Sequence, residues 1–264
     1  MIGLTAGLLA LVASAAPRGE TCYKCHAALP REGAIGEHVS EYEVSIHGRA
    51  KLGCDLCHGG DSTSNEKTIA HKGVLFSSDE RSTVNAKHQP ETCGGCHPNV
   101  LEAFKRSKHS QALVTAGIGP TCTTCHTAMG SGILKAEEVA ATCKACHKPG
   151  GVAKDSGQAL YAARLLVEVT STQRAIRLAE ALVKYSEKCN VKIPGSNRLT
   201  EARALFGGAA ESWHMFDPSR TRESINNALK LVDEMRLDLE ADRQGKQPPA
   251  KAEKHPAKKQ PAGP

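Results

Sequence analysis

This sequence predicts a mostly α-helical protein with many loops and little β-structure, on three observations. Residues 20–150 are punctuated by Gly, Pro, Ser and Thr, as in Gly117-Ile118-Gly119-Pro120, which breaks the chain into loops and short helices. From about Ser156 to Lys188 there is no Pro and no Gly beyond Gly157, and apolar residues recur at helical spacing. Four Phe, four Tyr and one Trp among 264 residues are few, because large rings normally supply much of the buried area. Something other than side chains therefore fills part of the interior.

Taken in order, residues 1–16 carry no charged side chain and end near Ala13-Ser14-Ala15, an A-x-A cleavage pattern followed by Pro17-Arg18. That is the form of a secretory signal peptide without its usual basic start. No apolar run reaches the length of a membrane-spanning helix.

Residues 17–155 hold ten of the eleven cysteines, all in pentapeptides of one form. They are Cys22-Tyr-Lys-Cys25-His26, Cys54-Asp-Leu-Cys57-His58, Cys93-Gly-Gly-Cys96-His97, Cys122-Thr-Thr-Cys125-His126 and Cys143-Lys-Ala-Cys146-His147. C-x-x-C-H is the attachment motif of c-type haem. Two thiols three positions apart form thioethers to one porphyrin edge, and the next residue places an imidazole beneath the ring as proximal iron ligand. A disulfide framework gives no reason for a His after every second Cys. Zinc sites need neither the fixed His nor five repeats. Five haems are therefore expected, and their apolar faces answer the shortage of aromatic side chains. Five motifs between Cys22 and His147 leave about 25 residues each, so the haems must crowd one another. Motif spacing is irregular, which excludes a fixed repeat. The eleventh cysteine, Cys189, is expected to be an ordinary partly buried thiol.

Haem iron in electron carriers usually takes a second axial ligand, His or Met. Once Met1 leaves with the leader, only Met129, Met215 and Met235 remain, so most far-side ligands should be His. His47, His71, His88, His109 and His214 are the five candidates once His38 and the tail residue His255 are set aside. For His214, a helix would align Phe206, Ala210 and His214 at i, i+4 and i+8, on one apolar side.

At these residues the chain resembles the multihaem cytochrome c superfamily. It is similar in particular to its small pentahaem electron-transfer members, and more distantly to the hydroxylamine oxidoreductase and cytochrome c nitrite reductase group. The matching stretches are Tyr42-Glu-Val-Ser45-Ile-His47-Gly48, Cys57-His58-Gly59-Gly60-Asp61, Glu91-Thr-Cys93-Gly-Gly-Cys96-His97-Pro98, Phe104-Lys-Arg-Ser107-Lys-His109 and Trp213-His214-Met-Phe-Asp217. The resemblance covers roughly residues 20–240. It implies haems in van der Waals reach serving as an electron wire, His/His ligation, a periplasmic or cell-surface location, and a helical C-terminal segment able to supply a distant ligand. The chain has no C-x-x-C-K motif and no evident Tyr cross-link context, which argues against catalysis as in those two enzymes.

Residues 156–244 read as a C-terminal helical bundle. A first helix carries Leu166, Val169, Ile176, Ala179 and Val183, and Pro194-Gly195 ends its segment. A second is expected from Leu199 to Phe216. A third opens at Asp217 as N-cap with Pro218 at its first position, and carries Ile225, Leu229, Val232, Met235 and Leu239 to about Arg243. Three such helices form an antiparallel bundle, either packed on the last haems or serving as a separate dimerisation module.

Residues 245–264 hold five Lys, five Pro and one Glu and read as a disordered tail. The tail carries +4 of the formal +6, and each ferric haem adds about −1, so the loaded protein sits near +1. Nucleic-acid binding has no support. The leading expectation is an exported pentahaem cytochrome relaying electrons between redox proteins: cytochromes, quinol-linked membrane complexes or terminal reductases. The alternatives are an enzyme acting on a small nitrogen or sulfur species at one five-coordinate haem, and a subunit of an extracellular conducting filament. A homo-oligomer is compatible with each.

Overall fold

A computed structural model describes residues 20–132, 134–153 and 157–245. The expected leader and nearly all of the basic tail lie outside the described residues. The chain is mostly helical with long connecting loops. Among the described residues the only β-pairing is an isolated bridge between His147 and Ala153. The chain divides after Ala159 into two compact units.

Among the described residues the first unit holds ten helices: α1 (Glu20–Ala27), α2 (Ala34–Val44), α3 (Ile46–Arg49), α4 (Asp55–His58), α5 (Lys67–Ala70), α6 (Gln89–Gly94), α7 (Pro98–Lys105), α8 (Lys108–Ala116), α9 (Cys122–His126) and α10 (Ala136–Cys146). Their shortness follows from the punctuation. Gly117 closes α8 at φ 67°, a left-handed cap that Gly adopts without strain. The apolar interior is thin. Val39, Ala103, Leu113 and Val139 are buried, whereas Leu29, Ile35, Ile46, Leu52, Leu56, Ile69 and Phe76 are exposed. At about 25 cal/mol per Å² of apolar area removed from water, so few buried side chains stabilise a fold of this size only weakly.

The second unit is built differently. Three helices, α11 (Gly157–Lys188), α12 (Arg198–His214) and α13 (Pro218–Arg243), share a conventional core. One cluster joins Ile176 and Ala179 to Ile193, Leu199, Ala228 and Met235; the other joins Leu165 to Ala209 and Ile225. Polar contacts fix the directions. Arg203 pairs with Glu180, Arg198 with Asp238, and Arg222 reaches Glu168 at 2.9 Å and the Tyr161 hydroxyl at 3.0 Å. Helix α12 thus runs antiparallel to both neighbours. Asp217 caps α13 through Oδ1, accepting from Arg220 N at 3.0 Å, and Pro218 opens it as the sequence requires.

The second helix departs from its expected face. The buried line on α12 is Leu199, Ala202, Ala209 and Ser212, whereas Ala210 is exposed. Phe206 packs against both core clusters, but Ala210 does not share that side, which Ala202, Ala209 and Ser212 complete instead. His214 is half-buried at the helix end, beside rather than within the apolar stripe.

Candidate haem-binding site

Each C-x-x-C-H motif is on a helix or at the end of one. The first lies within α1, the second caps and fills α4, and the fourth forms α9. The third spans the end of α6 to the N-cap of α7, and the fifth ends α10 with His147 as C-cap. A helical turn is what the chemistry needs, since positions i, i+3 and i+4 share one face. The His N–H bonds back to the first Cys carbonyl at 3.0 Å for His58 and His97 and at 2.8 Å for His147. In the third motif, a Cβ on Gly94 would stand 2.3 Å from Leu101 Cδ2, so only Gly lets α7 close onto the motif.

The candidate far-side ligands are held by equally local means. Ser45 is 2% exposed and caps α3, its hydroxyl accepting from Gly48 N at 2.8 Å and donating to Tyr42 O at 2.7 Å. Ser107 is 4% exposed and caps α8, accepting from Ser110 N at 3.0 Å. His47 and His109 each follow their Ser by two positions, in the first turn of a helix.

The structure then brings distant histidines together in pairs. The rings of His26 and His71 have centroids 5.9 Å apart and planes within 20°. Those of His47 and His97 are 6.2 Å apart at 33°, and those of His109 and His147 are 5.9 Å apart at 79°. Two imidazoles bound to one metal at about 2 Å, each with roughly 1 Å more to its ring centre, stand about 6 Å apart. Each pair joins one motif histidine to one candidate far-side ligand. Burial, and then the facing ring, lowers the pKa of His26 and of His109 from the ordinary imidazole value.

Ring orientation follows the same pattern. Nδ1 of His71 bonds to Lys67 O at 2.8 Å, Nδ1 of His126 to Gly132 O at 3.2 Å, and Nδ1 of His214 to Ala210 O at 2.7 Å. A carbonyl partner puts the proton on Nδ1 and makes Nε2 the ligating nitrogen, the arrangement typical of metal-bound histidine. His88 does the reverse. It is exposed, and its Nε2 bonds to Glu80 O at 2.9 Å. Among the described residues it faces no other imidazole. His38, which the sequence set aside, bears electrostatically on His58; after burial it is the largest influence lowering that imidazole's pKa. Nothing local marks His38, because it sits mid-helix in α2 with no Ser before it. Only the surplus of histidines over irons could have kept it in view.

Successive motifs adjoin. Cys22 bears electrostatically on Cys54, Cys93 and Cys96 on Cys57, and Cys143 on Cys125. Cys93 and Cys122 share a hydrogen bond that holds the Cys93 thiol protonated. Backbone and side-chain links reinforce the chain. Thr83 Oγ1 donates to Cys57 O and Thr92 Oγ1 to Thr83 O, both at 2.6 Å. Gln89 Oε1 accepts from both N and Oγ1 of Thr123 at 3.0 Å. The five motifs therefore follow one another in space in the order they follow in sequence.

These residues fit haem. The donor set is paired imidazoles at metal-bridging separation, and Ile46, Leu56 and Ile69, exposed beside ligand or motif positions, offer apolar cover for a porphyrin face. Among the described residues no three His, Cys, Asp or Glu side chains converge as a zinc site would require. Motifs, ring pairs and helical scaffold together support a multihaem c-type cytochrome that binds haem through its C-x-x-C-H motifs.

Known proteins point the same way. Residues 112–152 match the doubled CXXCH motif family, a stretch that spans the fourth and fifth motifs. The C-type polyheme cytochrome OmcB of Geobacter sulfurreducens, in strains DL-1 / KN400 and PCA, is 32% identical over 119 residues, 42% of this chain. That segment spans only 14% of the relative's own length. No solved structure matches.

Proposed function

We propose that this chain is an exported five-haem cytochrome that relays electrons between redox proteins along an unbranched row of sites. The observation that carries the reading is the spatial order of the motifs, each adjoining the next, with far-side imidazoles facing three of their histidines. Haem, when bound, supplies reversible one-electron chemistry at its iron. The chain's own residues do the rest. Cys22/Cys25, Cys54/Cys57, Cys93/Cys96, Cys122/Cys125 and Cys143/Cys146 fasten the groups covalently. His26, His58, His97, His126 and His147 supply the near-side nitrogens. His71, His47 and His109 close the far side of the first, third and fifth sites, and His38 closes the second. Of the two remaining candidates, His214 carries the Nδ1–carbonyl bond of a ligating ring and His88 does not. Ligation on both sides excludes substrate from the metal, which favours relay over catalysis.

Partners in this reading are other redox proteins: cytochromes, quinol-linked membrane complexes or terminal reductases. Among the described residues no helix is long and apolar enough to cross a membrane, and the leader-like N-terminus supports export to the periplasm or cell surface. Protein-film voltammetry of the full chain tests the proposal. Five one-electron couples are expected, with no catalytic wave on addition of nitrite, hydroxylamine or sulfite. A catalytic wave together with a high-spin signal in the untreated protein would instead identify a substrate-binding enzyme.

A further inference from the structure

His47 differs from the other histidines in what pins its ring. His71 and His214 each bond Nδ1 to the carbonyl four residues earlier. His47 has no such carbonyl beneath it, because it stands in the first turn of α3 and the chain before it turns out at Ser45, with ψ 163°. Its Nδ1 instead meets the hydroxyl of Ser131, 84 residues away, at 2.9 Å. Ser131 lies in the loop after the fourth motif and adopts φ 45°, a left-handed conformation that an L-residue other than Gly or Asn holds at a cost. The next residue, Gly132, offers the carbonyl that receives Nδ1 of His126. Two adjacent residues thus anchor two imidazoles, one facing the histidine of the third motif and one belonging to the fourth.

We propose that Ser131 is a positioning residue for the third haem site, and that the Ser131–Gly132 loop is a support shared by the third and fourth sites. This rests on the His47–His97 pairing of the proposed function. With Nε2 toward the metal, Nδ1 carries the proton and donates a hydrogen bond to Ser131 Oγ. That hydrogen bond would raise the electron density of the ring and favour ferric iron. The hydroxyl also sets rotation of the His47 plane, which stands 33° from that of His97.

Ser131→Gly is the decisive variant, since it removes the hydroxyl while easing the left-handed backbone, so the loop folds at least as readily. Redox titration and electron paramagnetic resonance of the fully loaded protein are the readouts. S131G is expected to keep five low-spin haems, to move one midpoint potential in the positive direction, and to alter one low-spin signal, leaving the other four unmoved. Ser131→Asn, whose amide accepts a hydrogen bond at a left-handed residue, is expected to restore most of the shift. Potentials and signals identical to the unmodified protein in S131G, while His47→Ala turns one haem high-spin, would overturn the positioning role and leave the pairing intact. An all-low-spin H47A would show that the pairing itself had failed, and the proposal with it.

Discussion

Alanine at His71, His47 or His109 is expected to turn one haem in five from low-spin to high-spin without releasing it. The thioethers and the near-side imidazole still hold the group, so the loss falls on the sixth position alone. Each variant should bind carbon monoxide at one ferrous haem, where the unmodified protein binds none, and should keep its full covalent mass. His38→Ala is expected to behave likewise, because His38 is the ring that bears on His58. His88→Ala is expected to change nothing, since its Nε2 is engaged by the Glu80 carbonyl. The contrast between H71A and H88A is sharp because both histidines precede the third motif, and local sequence does not separate them. High-spin character in H88A and none in H71A would reverse the ligand assignment.

Ring orientation predicts a second large effect, in the ferric spectra. Two axial imidazoles with near-parallel planes lift the near-degeneracy of the iron dπ orbitals and give a rhombic low-spin signal. Near-perpendicular planes leave those orbitals close in energy, and the signal becomes strongly anisotropic with its intensity at low field. The planes of His26 and His71 differ by 20° and those of His47 and His97 by 33°, whereas those of His109 and His147 differ by 79°. The first and third sites should therefore contribute rhombic signals and the fifth a strongly anisotropic one. H109A is expected to abolish an anisotropic component, and H71A or H47A a rhombic one. Loss of a rhombic signal in H109A would contradict the geometry of the fifth site.

What the sequence made legible follows from the range over which each interaction acts. Thioether attachment fixes Cys, Cys and His within five residues, so the haem-bearing residues stood out at once. The helices from Gly157 onward were equally readable, because apolar periodicity and the Asp217–Pro218 start are local signals. Ligand pairing is not local. His26 meets His71 and His47 meets His97, each across the second motif, so no spacing rule connects them. The Ser-x-His elements were visible as motifs, but their meaning as N-caps emerged only with Ser45 and Ser107 buried at the starts of α3 and α8. His38, in the middle of α2, carries no such mark. On α12, Phe206 lies on the core side as its spacing suggests and Ala210 does not, since the buried positions include Ala202 and Ala209, small residues that carry little hydrophobic signal.

Intact-mass measurement of the full chain, matured by a host with working cytochrome c maturation, tests the central claim most directly. The account predicts the mature polypeptide plus five covalently attached haems, falling by one haem when both cysteines of any single C-x-x-C-H motif are replaced by Ser. A colourless polypeptide, or a fully loaded mass with fewer than five haems, would contradict it.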